Sequence, residues 1–378
     1  SAGANSSAKI ILSNYCEIYD GIYGNHAALM QASFASVQRE INQELCETAA
    51  CSSRIFLLDV SSLQGIYGRR AMHDSRLYYA SKTVFAIDFL PVLAEQIIKI
   101  VNVISGSVKK CIITDLDNTL WGGVIGDDGM DGIQIGSFGL GMVYSDLQAW
   151  IKEHANRGVA VAVCSKNNED TAKEPFEKHP DMVLRLEDIS VFVANWDDKA
   201  TNIKRIQQIL NIGFDSMVFL DDNPFERELV RTMLPDVTVP ELPEDPALYL
   251  SYLQELNLFE TINYSHEDSD RTRQYREEAD RVTMQRQFAS YDEYLKNLEM
   301  VAEVCAFDRF HFPRIAQLTQ RSNQFNLRTI RYTQEQVEGL AKDDKYITLY
   351  FTLKDKFGDH GLISVVVLEK KKDYCFVE

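Results

Sequence analysis

The stretch Cys111–Gly129, CIITDLDNTLWGGVIGDDG, limits the possible folds of this chain more than any other. Its short apolar run, Cys111-Ile112-Ile113, lies between polar residues and reads as a strand buried on both faces of a parallel sheet. The run ends in Asp115-Leu116-Asp117-Asn118-Thr119, so two carboxylates stand two residues apart where the strand stops. Extended backbone alternates its side chains, which turns Asp115 and Asp117 the same way and Leu116 aside. In open α/β sheets, ligands bind in the crevice beyond the carboxyl ends of the strands. Like charges this close call for a cation or a shared proton. The stretch therefore predicts a site as well as a strand.

The same grammar recurs downstream. Val159–Cys164 (VAVAVC) is a second buried strand, ending at Ser165-Lys166-Asn167-Asn168, and Met217–Leu220 (MVFL) is a third, running into Asp221-Asp222-Asn223-Pro224. Helices are expected over about 143–156 and 197–210, the latter with Lys199 in its first turn. Short strands are expected at Val183–Leu186, Val191–Ala194 and Val237–Val239, and the glycine-rich Trp121–Gly132 suits a tight hairpin over the site. Alternating strand and helix over residues 108–260 predicts a doubly wound parallel sheet.

The flanks read differently. Residues 1–107 are α/β, with strands at Lys9–Leu12 and Arg54–Val60. A helix over Ala27–Leu45 is expected from Leu29, Phe34, Val37, Ile41 and Leu45, and an amphipathic one over Phe89–Ile104. Residues 261–300 are charged and helical in pattern, a connector with capping-box starts at Ser265 and Ser290. Residues 301–378 turn to β character: Tyr346–Leu353 and Leu362–Leu368 flank DKFGDHG, a hairpin signal, after a helix at Phe312–Gln320.

Composition narrows the partners. The 378 residues are 45% apolar, enough for several cores, and suggest two or three domains. A net charge of −17 argues against nucleic acid and anionic membranes as partners. It would also repel an acidic carrier protein unless a local basic patch offsets it. No stretch approaches the roughly 20 apolar residues of a membrane helix, and no signal-peptide pattern opens the sequence. Seven cysteines without a CxxC pair fit reduced thiols and a cytoplasmic location.

DLDNT resembles the nucleophile motif of the haloacid dehalogenase phosphohydrolases, and DLDNTLWGGVIGDDG that of their FkbH-like branch. The resemblance implies a Rossmann-like α/β core with a parallel sheet at 108–260. A partial SGNH-hydrolase-like α/β region would precede it, and an incomplete N-acetyltransferase-like α+β region, carrying NQFNL at Asn323–Leu327, would follow. No Gly-Asp-Ser strand end supplies a serine nucleophile to the first region, although Gly24-Asn25 and His73-Asp74 invite a catalytic reading. A docking or structural role is the expectation there.

Phosphoryl transfer needs an attacking group, a grip on the phosphate and relief of its charge. Asp115 is the candidate nucleophile, forming an aspartyl-phosphate. Asp117 would protonate the leaving oxygen and then activate water or another acceptor. Ser165 can donate a hydroxyl to a phosphate oxygen, and Lys199 adds a fixed positive charge. Asp221 and Asp222 supply carboxylates to a hard cation, for which Mg2+ fits best. The resemblance implies a metal held by the Asp115 carboxylate, a backbone oxygen, here that of Asp117, and the acid of the last strand. Asp222 is the expected direct ligand, with Asp221 behind it. It also implies a phosphorylated small-molecule substrate. Relatives serving polyketide assembly dephosphorylate an activated glycerate and pass the glyceryl group to an acyl carrier protein through a thioester. Cys164, next to Ser165, is the possible acyl acceptor, against the reading of a buried core thiol. Plain phosphatase activity and a non-catalytic carrier-docking scaffold remain as alternatives. Each motif alone is weak, since a serine after a strand often caps a helix and Asp-Asp-Asn-Pro often makes a turn. Their conjunction at strand ends carries the reading. The intervals between motifs leave no room for a separate cap of the ~50 residues that a small domain needs.

Overall fold

A computed structural model describes residues 8–52, 54–262, 271–285, 288, 290–321 and 330–377. The chain forms two compact units, Ser1–Thr272 and Arg273–Glu378. No helix among the described residues is long and apolar enough to cross a membrane.

The first unit holds two parallel sheets. Strands β1 (Ile10–Ser13) and β2 (Ile55–Leu58) pair with each other. Strands β3 (Cys111–Thr114), β4 (Ala160–Ser165), β5 (Val191–Ala194) and β6 (Met217–Leu220) form a sheet in the order β5-β4-β3-β6. Every residue of β3, β4 and β6 is buried, as an apolar strand covered by helices on both faces requires. Helices Gly139–Asn156 and Tyr249–Leu256 bury Tyr144, Leu147, Ile151 and Leu253 into a core shared with Ile112, Val161 and Val218.

The carboxyl end of this sheet is built by local chemistry. Asn118 takes the left-handed conformation that asparagine tolerates, with φ at 54°, and its side chain accepts a bond from Gly123 N at 2.9 Å. Gly123 itself has φ at 92°, and a Cβ there would sit 2.6 Å from the Asp128 carboxylate. The helix Lys199–Leu210 is started by Asp198, which accepts from Thr201 N and Thr201 Oγ1 at 2.8 and 2.7 Å. The helix Pro224–Met233 begins with Asn223 as its cap and proline in its first turn.

Several expectations change. The Trp121–Gly132 flap is not a hairpin: a single bridge, Gly122 to Gln134, closes a loop that contains the one-turn helix Ile125–Asp128. Val183–Leu186 is no strand, because the Val183 and Leu184 amides donate to the buried Gln148 side chain instead. Val237–Val239 contributes only one bridge, from Thr238 to Val218. The Ala27–Leu45 pattern splits into a short 3-10 turn, Gly24–Leu29, and a helix, Phe34–Ala50, whose Phe34, Val37 and Ile41 are exposed.

The second unit is α+β. Its antiparallel sheet has the order β10-β9-β8-β7, from β7 (Val301–Ala306), β8 (Tyr346–Lys354), β9 (Asp359–Lys370) and β10 (Cys375–Val377). Helices Phe312–Arg321 and Gln334–Lys342 bury Ile315 and Val337 against Tyr350 and Val367. Arg281, within the segment expected as a connector, pairs with Asp355 of the DKFGDHG turn at 2.7 Å. Ser290 caps the helix Tyr291–Asn297, while Ser265 and Asn323–Leu327 lie outside the described residues.

Candidate active site

Adjacent strand ends bring the acidic residues together. Thr114 pairs with Leu220 across β3 and β6, so the next residues, Asp115 and Asp221, emerge side by side. Asp115, Asp221 and Asp222 each offer a carboxylate oxygen, all within 4.8 Å of one another. Thr119 Oγ1 accepts from the Asp222 amide at 3.1 Å, tying the two carboxylate-bearing loops together.

Lys199 enters from the first position of its helix, where the helix dipole disfavours a cation. Its side chain is 2% exposed and reaches within 2.7 Å of Asp115 Oδ1 and 3.2 Å of Asp221 Oδ2. Burial opposes the ammonium charge, but Asp115 and Asp221 outweigh it and hold the Lys199 pKa above the usual lysine range. The ammonium also donates to the Cys164 carbonyl at 2.8 Å. One ammonium is the shared partner of Asp115 Oδ1 and Asp221 Oδ2.

Three carboxylates thus face one ammonium. Burial, countered by Lys199 and reinforced by Asp115, pushes the Asp221 carboxyl up to about 7, and burial followed by Asp115 raises Asp222 as well. Three clustered carboxylates against one ammonium leave an excess of negative charge that fits a hard, oxygen-seeking divalent cation. Asp221 and Asp222 both bring a carboxylate oxygen to the cluster, Asp221 with its Oδ2 also against Lys199.

Asp117 lies outside that carboxylate cluster. Its Oδ1 accepts from Trp121 Nε1 at 2.9 Å and from the Ile125 amide at 3.0 Å, and its Oδ2 accepts from Asn167 Nδ2 at 2.8 Å. With its side chain so committed, its backbone oxygen is what it can offer a metal. Asn167 Nδ2 also reaches Ser165 Oγ at 3.1 Å, linking the two residues beneath the crevice. Sequence reasoning passed over Asn167. Its signal is the Ser-Lys-Asn string at the end of β4, where the residue two past Ser165 can turn to the same side. The flap's Trp121 is fully buried, its ring edge-on to Phe176, so its indole N–H is a fixed donor rather than a loose lining group.

Cys164 lies beside this chemistry but is closed off from solvent. Its thiol is fully buried and donates toward the Lys199 backbone carbonyl at 3.8 Å, and burial pushes its pKa up to about 12. That is the setting of a packed core thiol, and it corrects the expectation of an acyl acceptor. Arg227 is buried and Arg231 half-buried. Arg227 donates to the Asp221 and Asp222 carbonyls, and both arginines pair with Glu241.

Among the described residues no folded cap covers the crevice. Between β3 and β4 stand the flap and the helix Gly139–Asn156; between β4 and Lys199 stand the helix Glu169–Lys178, a 3-10 turn and β5.

Comparison with known proteins agrees with this geometry. Residues 2–102 match the family described as FkbH, N-terminal domain. The chain is similar to the crystal structure of the N-terminal part of protein BF1531 from Bacteroides fragilis, described as containing a phosphatase domain complexed with Mg. That similarity is 51% in sequence, covers 68% of each chain and has a TM-score of 0.66. No curated protein matches. An N-terminal region of the FkbH type, a relative this similar over more than two-thirds of both chains, and a DLDNT motif at a parallel strand end converge: the chain belongs to the FkbH-like family of haloacid dehalogenase-type proteins.

Proposed function

We propose that this protein is a Mg2+-dependent phosphohydrolase that works through an aspartyl-phosphate on Asp115. One observation carries the reading: Asp115, Asp221 and Asp222 converge at the strand ends, three acids with Lys199 as the ammonium paired to two of them. Asp115, Asp221, Asp222 and the Asp117 backbone oxygen would hold the ion. When bound, Mg2+ supplies charge neutralisation to the phosphoryl group and to the Asp115 carboxylate. Asp115 attacks phosphorus, Lys199 and the Ser165 hydroxyl hold the phosphoryl oxygens, and Asp117 moves protons for the leaving group and then for the acceptor. Trp121, Ile125 N and Asn167 keep the Asp117 carboxylate in one orientation through both steps.

The finer reading is that the substrate is a three-carbon acid with two phosphates: Asp115 takes the ester phosphate, while an external carrier-protein thiol attacks the acyl carbon of the intact acyl phosphate, forming the thioester as the second phosphate leaves with the thiol proton. Two features support it. Cys164, the internal thiol beside the site, is spent in the core. The uncapped rim bears Trp196 and Phe225, 76% and 70% exposed, just past the ends of β5 and β6. An open site excludes water poorly, and a docked carrier would complete it.

Incubation of the protein with a three-carbon acyl phosphate that also bears a phosphate ester should release the ester phosphate with Mg2+ and not with a chelator. With a carrier protein present, intact-mass analysis should find the acyl group on the carrier thiol, and kcat/KM should rise over that for free substrate. Phosphate release without carrier acylation would leave a plain phosphatase. Equal release in chelator would overturn the whole reading.

A further inference from the structure

We propose that Arg227 is a positioning residue for the metal-binding carboxylates, setting the backbone of the Asp221-Asp222 loop from behind. The proposal rests on the metal-site reading given above.

Arg227 sits in the first turn of the helix Pro224–Met233, the element that follows β6 directly, and is only 4% exposed. Its Nη1 donates to two consecutive backbone carbonyls, Asp221 O at 2.9 Å and Asp222 O at 2.7 Å. Its Nη2 pairs with Glu241, which Arg231 holds in turn. Glu241 follows the Val237–Val239 segment whose Thr238 bridges Val218 of β6. The guanidinium therefore joins the end of β6 to the chain that flanks it.

The two carbonyls belong to the peptide units that set the direction of the Asp221 and Asp222 side chains. Both carboxylates must face Asp115, although the three repel one another until a cation arrives. Thr119 restrains this loop from the Asp115 side and Arg227 from the opposite one. Only a planar fork reaches adjacent carbonyls and a separate carboxylate together; an ammonium is a point donor. The Arg227 Nε has no partner, so the residue is kept buried at some cost for what its two terminal nitrogens hold. Residues that orient metal ligands commonly govern metal affinity by about 10- to 100-fold.

The test is titration of MgCl2 alone into the purified chain by isothermal calorimetry, with Mn2+ electron paramagnetic resonance as a second measure of site occupancy. Arg227→Lys, which keeps the charge and loses the fork, should raise the Mg2+ Kd by about 10- to 100-fold. Its loss in kcat at saturating Mg2+ should be smaller than its loss in Mg2+ affinity, the split expected of a residue that acts through the metal ligands. Glu241→Gln weakens only the outer anchor and should raise Kd by about threefold. If Arg227→Lys folds, as judged by circular dichroism, and binds Mg2+ as wild type does, the proposal is overturned, even with a lowered melting temperature. If it does not fold, Glu241→Gln decides, and an unchanged Kd there overturns it. A wild-type chain that binds no Mg2+ would instead refute the metal-site reading on which the proposal rests.

Discussion

The two parallel sheets of the first unit end in the same register and are finished in opposite ways. In the small sheet, Ser13 pairs with Leu58, so Asn14 and Asp59 emerge next to each other. In the large sheet, Thr114 pairs with Leu220, so Asp115 and Asp221 do. At the first place the Asn14 amide donates to Asp59 Oδ1 at 2.7 Å, and Ser62 adds its backbone N–H and hydroxyl. Burial pushes against the Asp59 charge, yet those donors win and its pKa is lowered. At the second place three acids gather around the one ammonium of Lys199, and burial and Asp115 outweigh it, so Asp221 is raised to about 7. A strand end whose carboxylate is satisfied by its own chain is structure. One whose carboxylates outnumber their cationic partner has the donor set for a further cation. In the N-terminal strand-end crevice the polar groups are consumed internally.

The largest expected effect comes from making the second place resemble the first. Asp115→Asn removes the nucleophile and should lower kcat by about 10^4-fold or more, at least ~5 kcal/mol in barrier. The same change removes one of the three repelling charges, so in chelator the variant should melt at a higher temperature than wild type. Activity within tenfold of wild type, or a lower melting temperature in chelator, would break the comparison.

A middle-sized effect is expected at the residues that hold Asp117. Asn167→Ala and Trp121→Phe each remove one donor and should cost about 10- to 100-fold in kcat, with little change in KM. Loss confined to KM would place these residues in substrate binding instead.

The smallest effect is on stability and its pH dependence. Asn14→Asp sets two acids together in the small sheet and should cost about 1–3 kcal/mol at neutral pH, and less near pH 4, where a shared proton relieves the pair. The native strand ends should titrate in opposite senses. Asp221 in the metal-free chain has a raised folded pKa, so its contribution is full below its unfolded value of 3.8 and is lost as pH rises through about 7. Asp59 has a lowered folded pKa, so its contribution is present above 3.8 and lost as pH falls below it. Chemical denaturation of Asp221→Asn in chelator should therefore show a flatter stability curve between pH 4 and pH 7 than wild type. An identical slope would contradict the raised Asp221 pKa.

Much of the core was legible because its strands are short, wholly apolar and closed by chemically distinctive residues. Asp115, Ser165, Lys199, Asp221 and Asp222 stand where alternation and strand ends put them. What the sequence hid was partnership at a distance. Asn167 reaches back fifty positions to Asp117, and Cys164 turns toward a backbone carbonyl of the Lys199 helix. Arg227 looks like a solvated helix residue until the two carbonyls before its helix are seen to point at it. The apolar spacing of Phe34, Val37 and Ile41 marked a helix correctly but not which way it faces, since periodicity identifies a stripe without naming what covers it.

The most direct test of the account is to trap the phosphoryl group. Protein mixed with an acyl phosphate that also bears a phosphate ester, quenched in acid and digested should yield a phosphorylated peptide containing Asp115. The label should require Mg2+, vanish in Asp115→Asn and persist in Asn14→Asp. Turnover with no label on Asp115, or label on another residue, would contradict the claim that these clustered strand-end carboxylates are the catalytic centre.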